Sequence, residues 1–199
     1  MKETVSAFRT GDTVVVDFRN SVSLVVVTAM SQGDVDFRVV TATIDTLERE
    51  GFHSWLQWLE QGCPGASGDE AIHIHDGSVN HSDTNNTTHT RWLQTLLTLQ
   101  LTPIPDSERK KAGPAPLPDE IDLRPVWQPP IIVQGRTINS RCNAFRTQWP
   151  NDGSELSTRP LILYFPTSDT AVRAFPYWIE SPTSSYHLRV IDSSHFSKS

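Results

Sequence analysis

The sequence predicts an α+β protein, mostly antiparallel β, in which a curved sheet or incomplete barrel wraps one or two helices. Three observations carry this. Short β-branched runs divided by turn residues recur towards both ends of the chain, at the spacing of consecutive hairpins and not of βαβ units. Helical periodicity is confined to two stretches, residues 46–61 and 91–98. Forty Ser and Thr with 14 Pro among 199 residues favour turns and strand edges over a helical bundle.

The elements follow in order. Thr13–Phe18 (TVVVDF), Val22–Met30 (VSLVVVTAM) and Val35–Ile44 (VDFRVVTATI) read as a β-meander, turned at Arg19-Asn20 and at Ser31-Gln32-Gly33-Asp34. In the third strand Val35, Phe37, Val39 and Thr41 share one face. Asp36, Arg38 and Val40 share the other, which is expected to be wet. The period then changes. Asp45 with Glu48 forms a D-x-x-E variant of the capping box, Leu47, Trp55, Leu56 and Leu59 follow at roughly helical spacing, and Gly62 and Pro64 stop the run. One helix over Thr46–Gln61 is expected.

Residues 65–89 are polar and loop-like except for Ala71–His75 (AIHIH), which alternates as a strand does. Arg91–Thr98 suits a helix, followed by an extended exit ahead of Pro103 and Pro105. Residues 103–130 break the composition: DSERKK, then AGPAPLP, cannot hold a helix or central strand and read as a wrapping arm. Strands resume at Ile131–Val133, Thr137–Ile138, Cys142–Trp149, Pro160–Phe165, Phe175–Glu180 and Tyr186–Asp192, with Pro150-Asn151-Asp152-Gly153-Ser154 as a strong turn. Pro176 suggests that Phe175–Glu180 is an edge strand. The chain is read as a single domain, 1–199, made of an N-terminal meander with helices (1–102), the Pro-rich arm (103–130) and a C-terminal β segment (131–199).

Composition excludes several functions. A net charge of −6 argues against general nucleic-acid binding. No window of about 18 apolar residues is present, so a membrane-spanning chain is not expected. Residues 1–12 lack the apolar core of a secretory signal, which makes a cytoplasmic location the default, or a periplasmic one if the start has been replaced. No G-x-S-x-G elbow and no glycine-rich phosphate loop occurs, and no cofactor is expected.

Two residue groups remain as candidate sites. The first is aromatic. Six Trp with Phe165, Phe175 and Tyr177 either fill a core between helix and sheet or line a cleft for an apolar ligand. In the cleft reading, Trp55, Trp58, Trp92, Phe165, Tyr177 and Trp178 surround the ligand. The second is His73-x-His75, with Asp76, His81 and His89 downstream. On a strand, His73 and His75 point to the same side, so His73, His75 and His81 or His89 form a candidate metal set. The plain alternative is exposed surface histidines. Cys63 follows a helix C-terminus, the wrong end to lower a thiol pKa, and Cys142 suits a core. A Cys63–Cys142 disulfide is left open.

Several strings occur together: Ser54-Trp55 with Gln61-Gly62-Cys63-Pro64-Gly65, Leu101-Thr102-Pro103-Ile104-Pro105 running into Glu108-Arg109-Lys110-Lys111, Trp149-Pro150-Asn151-Asp152-Gly153-Ser154-Glu155-Leu156-Ser157, and Phe175-Pro176-Tyr177-Trp178-Ile179. In that order the chain resembles an uncharacterised family of bacterial proteins found in chlamydia-like intracellular bacteria, over residues 50–195. The resemblance implies one evolved unit and brings no activity and no catalytic residues. Residues 69–90 lie outside it.

The functional expectation is a non-enzymatic binding module that holds an apolar, lipid-like molecule or a protein segment in an aromatic-lined cleft. Two alternatives stand beside it. One is a metal-dependent enzyme built on His73 and His75. The other is an assembly subunit that docks a neighbour through β-edges and the arm.

Overall fold

A computed structural model describes residues 8–18, 21–75, 78–80 (backbone only), 91–167, 175–185 and 187–194. The fold is built on one open sheet of ten antiparallel strands. The N-terminal meander is β1 (Thr13–Phe18), β2 (Ser21–Ser31) and β3 (Asp34–Thr43), extended outward by β4 (Gly68–His75) and β5 (Ser78–Asn80). The second half contributes β6 (Thr102–Ile104), β9 (Cys142–Gln148), β10 (Pro160–Pro166), β11 (Trp178–Glu180) and β12 (His187–Ser193). A hairpin of β7 (Ile131–Val133) and β8 (Arg136–Ile138) forms a second, two-stranded sheet that packs on β12, where Ser193 donates to the Ile132 carbonyl. The sheet order is β5-β4-β3-β2-β1-β12-β11-β10-β9-β6, so the β1–β12 pair joins the two halves of the chain. The sheet is not closed, and β5 and β6 are its edges.

The register assigns each residue to a face. On the first face Val16, Val25, Phe37, Val39, Leu163 and Leu188 are among the residues of the larger core cluster. Helix α3 (Arg91–Thr98) packs there through Leu93 and Leu96, as do Trp149, Leu156, Phe175 and Tyr177. On the second face Val15, Val22, Leu24, Val40 and Ala42 form a separate cluster with Trp55, Trp58 and Cys63. Farther along that same face, Tyr164 and Trp178 are cross-strand partners, and Trp127 of the arm meets both rings edge-on at 5.3 and 5.8 Å.

Four expectations are corrected. The single helix over 46–61 is two: α1 (Thr46–Glu50) and α2 (Trp55–Glu60). Gly51 takes the left-handed conformation (φ 77°) that ends α1, and Ser54 accepts from the Gln57 N–H to start α2. Two residues able to cap, three positions apart, override the continuous apolar spacing. Asp45 does not cap with its side chain, which accepts from the Thr43 hydroxyl instead. The second face of β3 is wet only at Asp34, Asp36 and Arg38, because Val40 and Ala42 lie under the Trp55–Trp58 layer. Strand β11 is interior, between β10 and β12, and Pro176 lies just before it, where the ring displaces no ladder bond.

Strands β5 and β6 arise from segments read as loop and as extended exit. Pro103 sits in edge strand β6, where a missing N–H is tolerated. The arm is pinned by Arg109, whose guanidinium is buried and donates to the Cys142 carbonyl at 2.9 Å and to Asp106 at 3.0 Å. A bridge between Lys111 and Val126 closes the arm on itself, and its tip exposes Leu117, Ile121 and Leu123. No described helix is long and apolar enough to cross a membrane.

Candidate functional site

The six aromatic residues of the predicted cleft do not come together. Trp55 and Trp58 meet edge-on at 5.6 Å on the second face, and Trp58 is fully enclosed with its indole N–H donating to the Pro64 carbonyl at 2.8 Å. Tyr177 is also fully enclosed, its hydroxyl bonded to Ser193 at 2.6 Å. Trp178 lies between Trp127 and a stacked His187, and its indole N–H donates to Glu180. Phe165 packs on Phe145 at 5.4 Å. Of the six, Trp92 lines the cavity described next. Helical spacing on α2 and strand alternation near β11 are satisfied by core packing on opposite faces, so an aromatic count could not locate a cleft.

The cavity lies on the first face, has a volume of about 480 Å³ and is walled by α3 and the turn after β9. Its floor is sheet: Val16, Phe18, Ser21, Ser23, Thr41 and Leu188. Ser23 and Thr41 are direct cross-strand partners, so two small hydroxyl residues sit side by side where larger side chains would fill the space. Trp92 forms one wall, held edge-on to Phe175 at 6.4 Å, with exposed Arg91 beside it.

The opposite wall is Trp149 and residues 152–156. Here the sequence builds a rigid turn. Asp152 accepts from the Trp149 indole at 2.9 Å and from the Ser154 backbone at 2.9 Å, and Gly153 supplies the positive φ (74°). Burial pushes the Asp152 carboxyl up, but hydrogen bonds from Ser154 and Trp149 outweigh it and hold the group below the ordinary carboxylate range. The turn was legible as a turn. Its role as a wall was not, because most of the floor opposite it comes from strands β1 to β3, more than a hundred residues earlier.

The predicted metal set is partly assembled. His73 and His75 are on one face of β4, and the register sets them opposite Asp36 and Asp34 of β3. His73 Nδ1 contacts Asp36 Oδ1, and His75 Nδ1 contacts Asp34 Oδ1. The His75 contact holds the Asp34 carboxyl below its ordinary range. His81, with Asp76 and His89, lies outside the described residues. The sequence reading put Asp34 in a turn and Asp36 on a wet strand face and not among the metal ligands, although Asp34-x-Asp36 has the same period-two spacing as His73-x-His75.

Both cysteines are buried and free, in separate core clusters, so the open disulfide question is settled against a bond. Burial raises the Cys63 thiol and pushes Cys142 up to about 11.

The fold and cavity together define an α+β protein with an open antiparallel sheet and an apolar recess between sheet, helix and turn. Within that class the chain belongs to the CT021 protein family, whose model matches residues 23–139. Its fold is similar to a solved structure of the hypothetical protein CT021 from Chlamydia trachomatis, with TM-score 0.63 and 17% identity over 100% of this chain and 93% of that one. This bears out the family resemblance carried by the four sequence strings, and corrects its bounds: the match begins at residue 23 and runs through residues 69–90, which the resemblance had left outside. A search of curated proteins finds no match.

Proposed function

We propose that the protein is a non-enzymatic binding module that takes an apolar, lipid-like molecule into the cavity between α3, the 149–156 turn and the sheet. One observation carries the reading: about 480 Å³ of space walled by Val16, Phe18, Trp92, Leu156 and Leu188, with the hydroxyl residues Ser21, Ser23 and Thr41 on its floor. That volume falls in the range of ligand pockets, and a mostly apolar wall with a few polar groups is their usual chemistry. Burial keeps the thiols of Cys63 and Cys142 protonated, so neither is a ready nucleophile.

The test uses the full chain, purified without added ligand. Native mass spectrometry is expected to show a lipid-sized adduct, and calorimetric titration of delipidated protein with dodecanoate is expected to give saturable binding. Trp92→Ala should weaken that binding about tenfold or more, a loss of about 1.4 kcal/mol. Trp55→Ala, on the other face, should leave it unchanged. No adduct together with no dodecanoate binding would sink the proposal, as would equal loss in the two variants.

A further inference from the structure

We propose that Asp34, His73 and His75 form a binding site for a divalent first-row transition ion of the zinc type, with Asp36 orienting His73. The site is on the second face of the sheet, away from the apolar cavity, and its argument is independent of that cavity.

Ligand-capable atoms of Asp34, His73 and His75 all lie within 4.8 Å of one another. Zinc holds nitrogen and oxygen ligands tetrahedrally at about 2.0–2.2 Å, so two ligands of one ion stand about 3.3–3.6 Å apart. Convergence therefore needs side-chain rotations that shift ligand atoms by about an ångström, with no change of backbone. The backbone is already set: β3 and β4 pair in continuous register from Asp34↔His75 to Thr41↔Gly68, and period-two alternation keeps the four side chains on one face.

The donor set matches the chemistry. Two imidazoles and a carboxylate suit zinc and its neighbours, and three protein ligands leave a position open to water. The contact between Asp36 and His73 Nδ1 is the arrangement by which a carboxylate fixes the tautomer of a metal-binding histidine and leaves Nε2 for the ion.

Charge points the same way. Arg38, next on that face of β3, is engaged by Asp69 through two bonds of 2.9 and 2.7 Å. Among the described residues no arginine or lysine pairs with Asp34 or Asp36. Two carboxylates thus sit two residues apart with imidazoles as their principal partners, and a divalent cation would neutralise them.

The experiment takes the full chain stripped with EDTA and titrates it with zinc chloride by calorimetry and with cobalt chloride by visible absorption. One equivalent of each ion is expected, and cobalt should develop ligand-field bands. His73→Ala, His75→Ala and Asp34→Ala should each weaken binding at least about tenfold, and Asp36→Asn about tenfold. His187→Ala, at the Trp178 stack, should change nothing. These four side chains stand on the surface face, so the stripped variants should melt with the parent. Absence of a saturable equivalent overturns the proposal. So does binding that survives a His73→Ala/His75→Ala double variant, or binding lost with His187. An Asp36→Asn variant that binds as the parent does removes the orienting role.

Discussion

Two neighbouring cross-strand pairs in β2 and β3 point to opposite sides of the sheet. Leu24 and Val40 face α2, and Ser23 and Thr41 face α3. Over the first pair, Trp58 closes down until nothing of it is exposed. Over the second, Trp92 stands half-covered beside an open cavity. The tryptophan does not decide which side becomes a recess. The floor beneath it does: two large aliphatic side chains fill the gap on one face, and two small hydroxyl residues leave it on the other. An aromatic residue marks a binding surface only where its packing partners are too small to cover it.

Trp58→Ala tests the sealed side, and its effect should be the largest. Removing a fully enclosed indole and its bond to the Pro64 carbonyl should cost about 3–5 kcal/mol in denaturant unfolding. Dodecanoate binding by the fraction still folded should be unaltered. A small stability loss would mean that the α2 layer can collapse onto Leu24 and Val40, and the contrast between the faces would weaken.

Much of this was legible in the sequence and some was not, for physical reasons. Strands β1 to β4, β9, β10 and β12 and helix α3 were announced by local alternation or helical period, which depend on residues close in sequence. The break between α1 and α2 was present as Gly51 and Ser54 but masked by a continuous apolar spacing. The candidate sites fared differently. His73 and His75 were found because strand geometry alone puts them on one face. Asp34 and Asp36 were missed because only β-pairing across some forty residues brings them opposite. The cavity was missed because its floor residues, Ser23 and Thr41, look unremarkable in a strand pattern. The six chosen aromatics were drawn to core positions by the same hydrophobicity that made them candidates.

Charge on β1 repeats the contrast between covered and open. Asp17, at one end, is buried against the Arg189 guanidinium. Asp12, just before the other end, is buried and accepts a backbone N–H from Arg9 at 2.7 Å; burial outweighs that bond and the Arg9 charge and pushes it from 3.8 up to about 6. A carboxyl with a raised folded pKa contributes stability that is fully present below about 3.8 and is lost as pH climbs through about 6. Asp12→Asn keeps an acceptor for Arg9 and removes the ionisation. It should flatten the stability profile between pH 4 and 6 and stabilise the protein at pH 7 by about 3 kcal/mol. Urea unfolding across that range measures it, and a variant that keeps the parent's slope would show that water reaches Asp12 as it does an open surface.

Ser23→Leu converts the open floor towards the sealed one and carries the smallest energetic effect. The new side chain extends into existing space beneath Trp92 rather than into packed atoms, so strain should be minor. Covering part of the apolar wall should raise stability by about 1 kcal/mol. The same substitution should abolish dodecanoate binding, because the added volume occupies the recess between Trp92 and Leu188. Stability and binding then move in opposite directions, which separates a cavity kept open for a ligand from a packing defect. If Ser23→Leu destabilises by more than about 2 kcal/mol, the floor is already well packed and the recess is not a site.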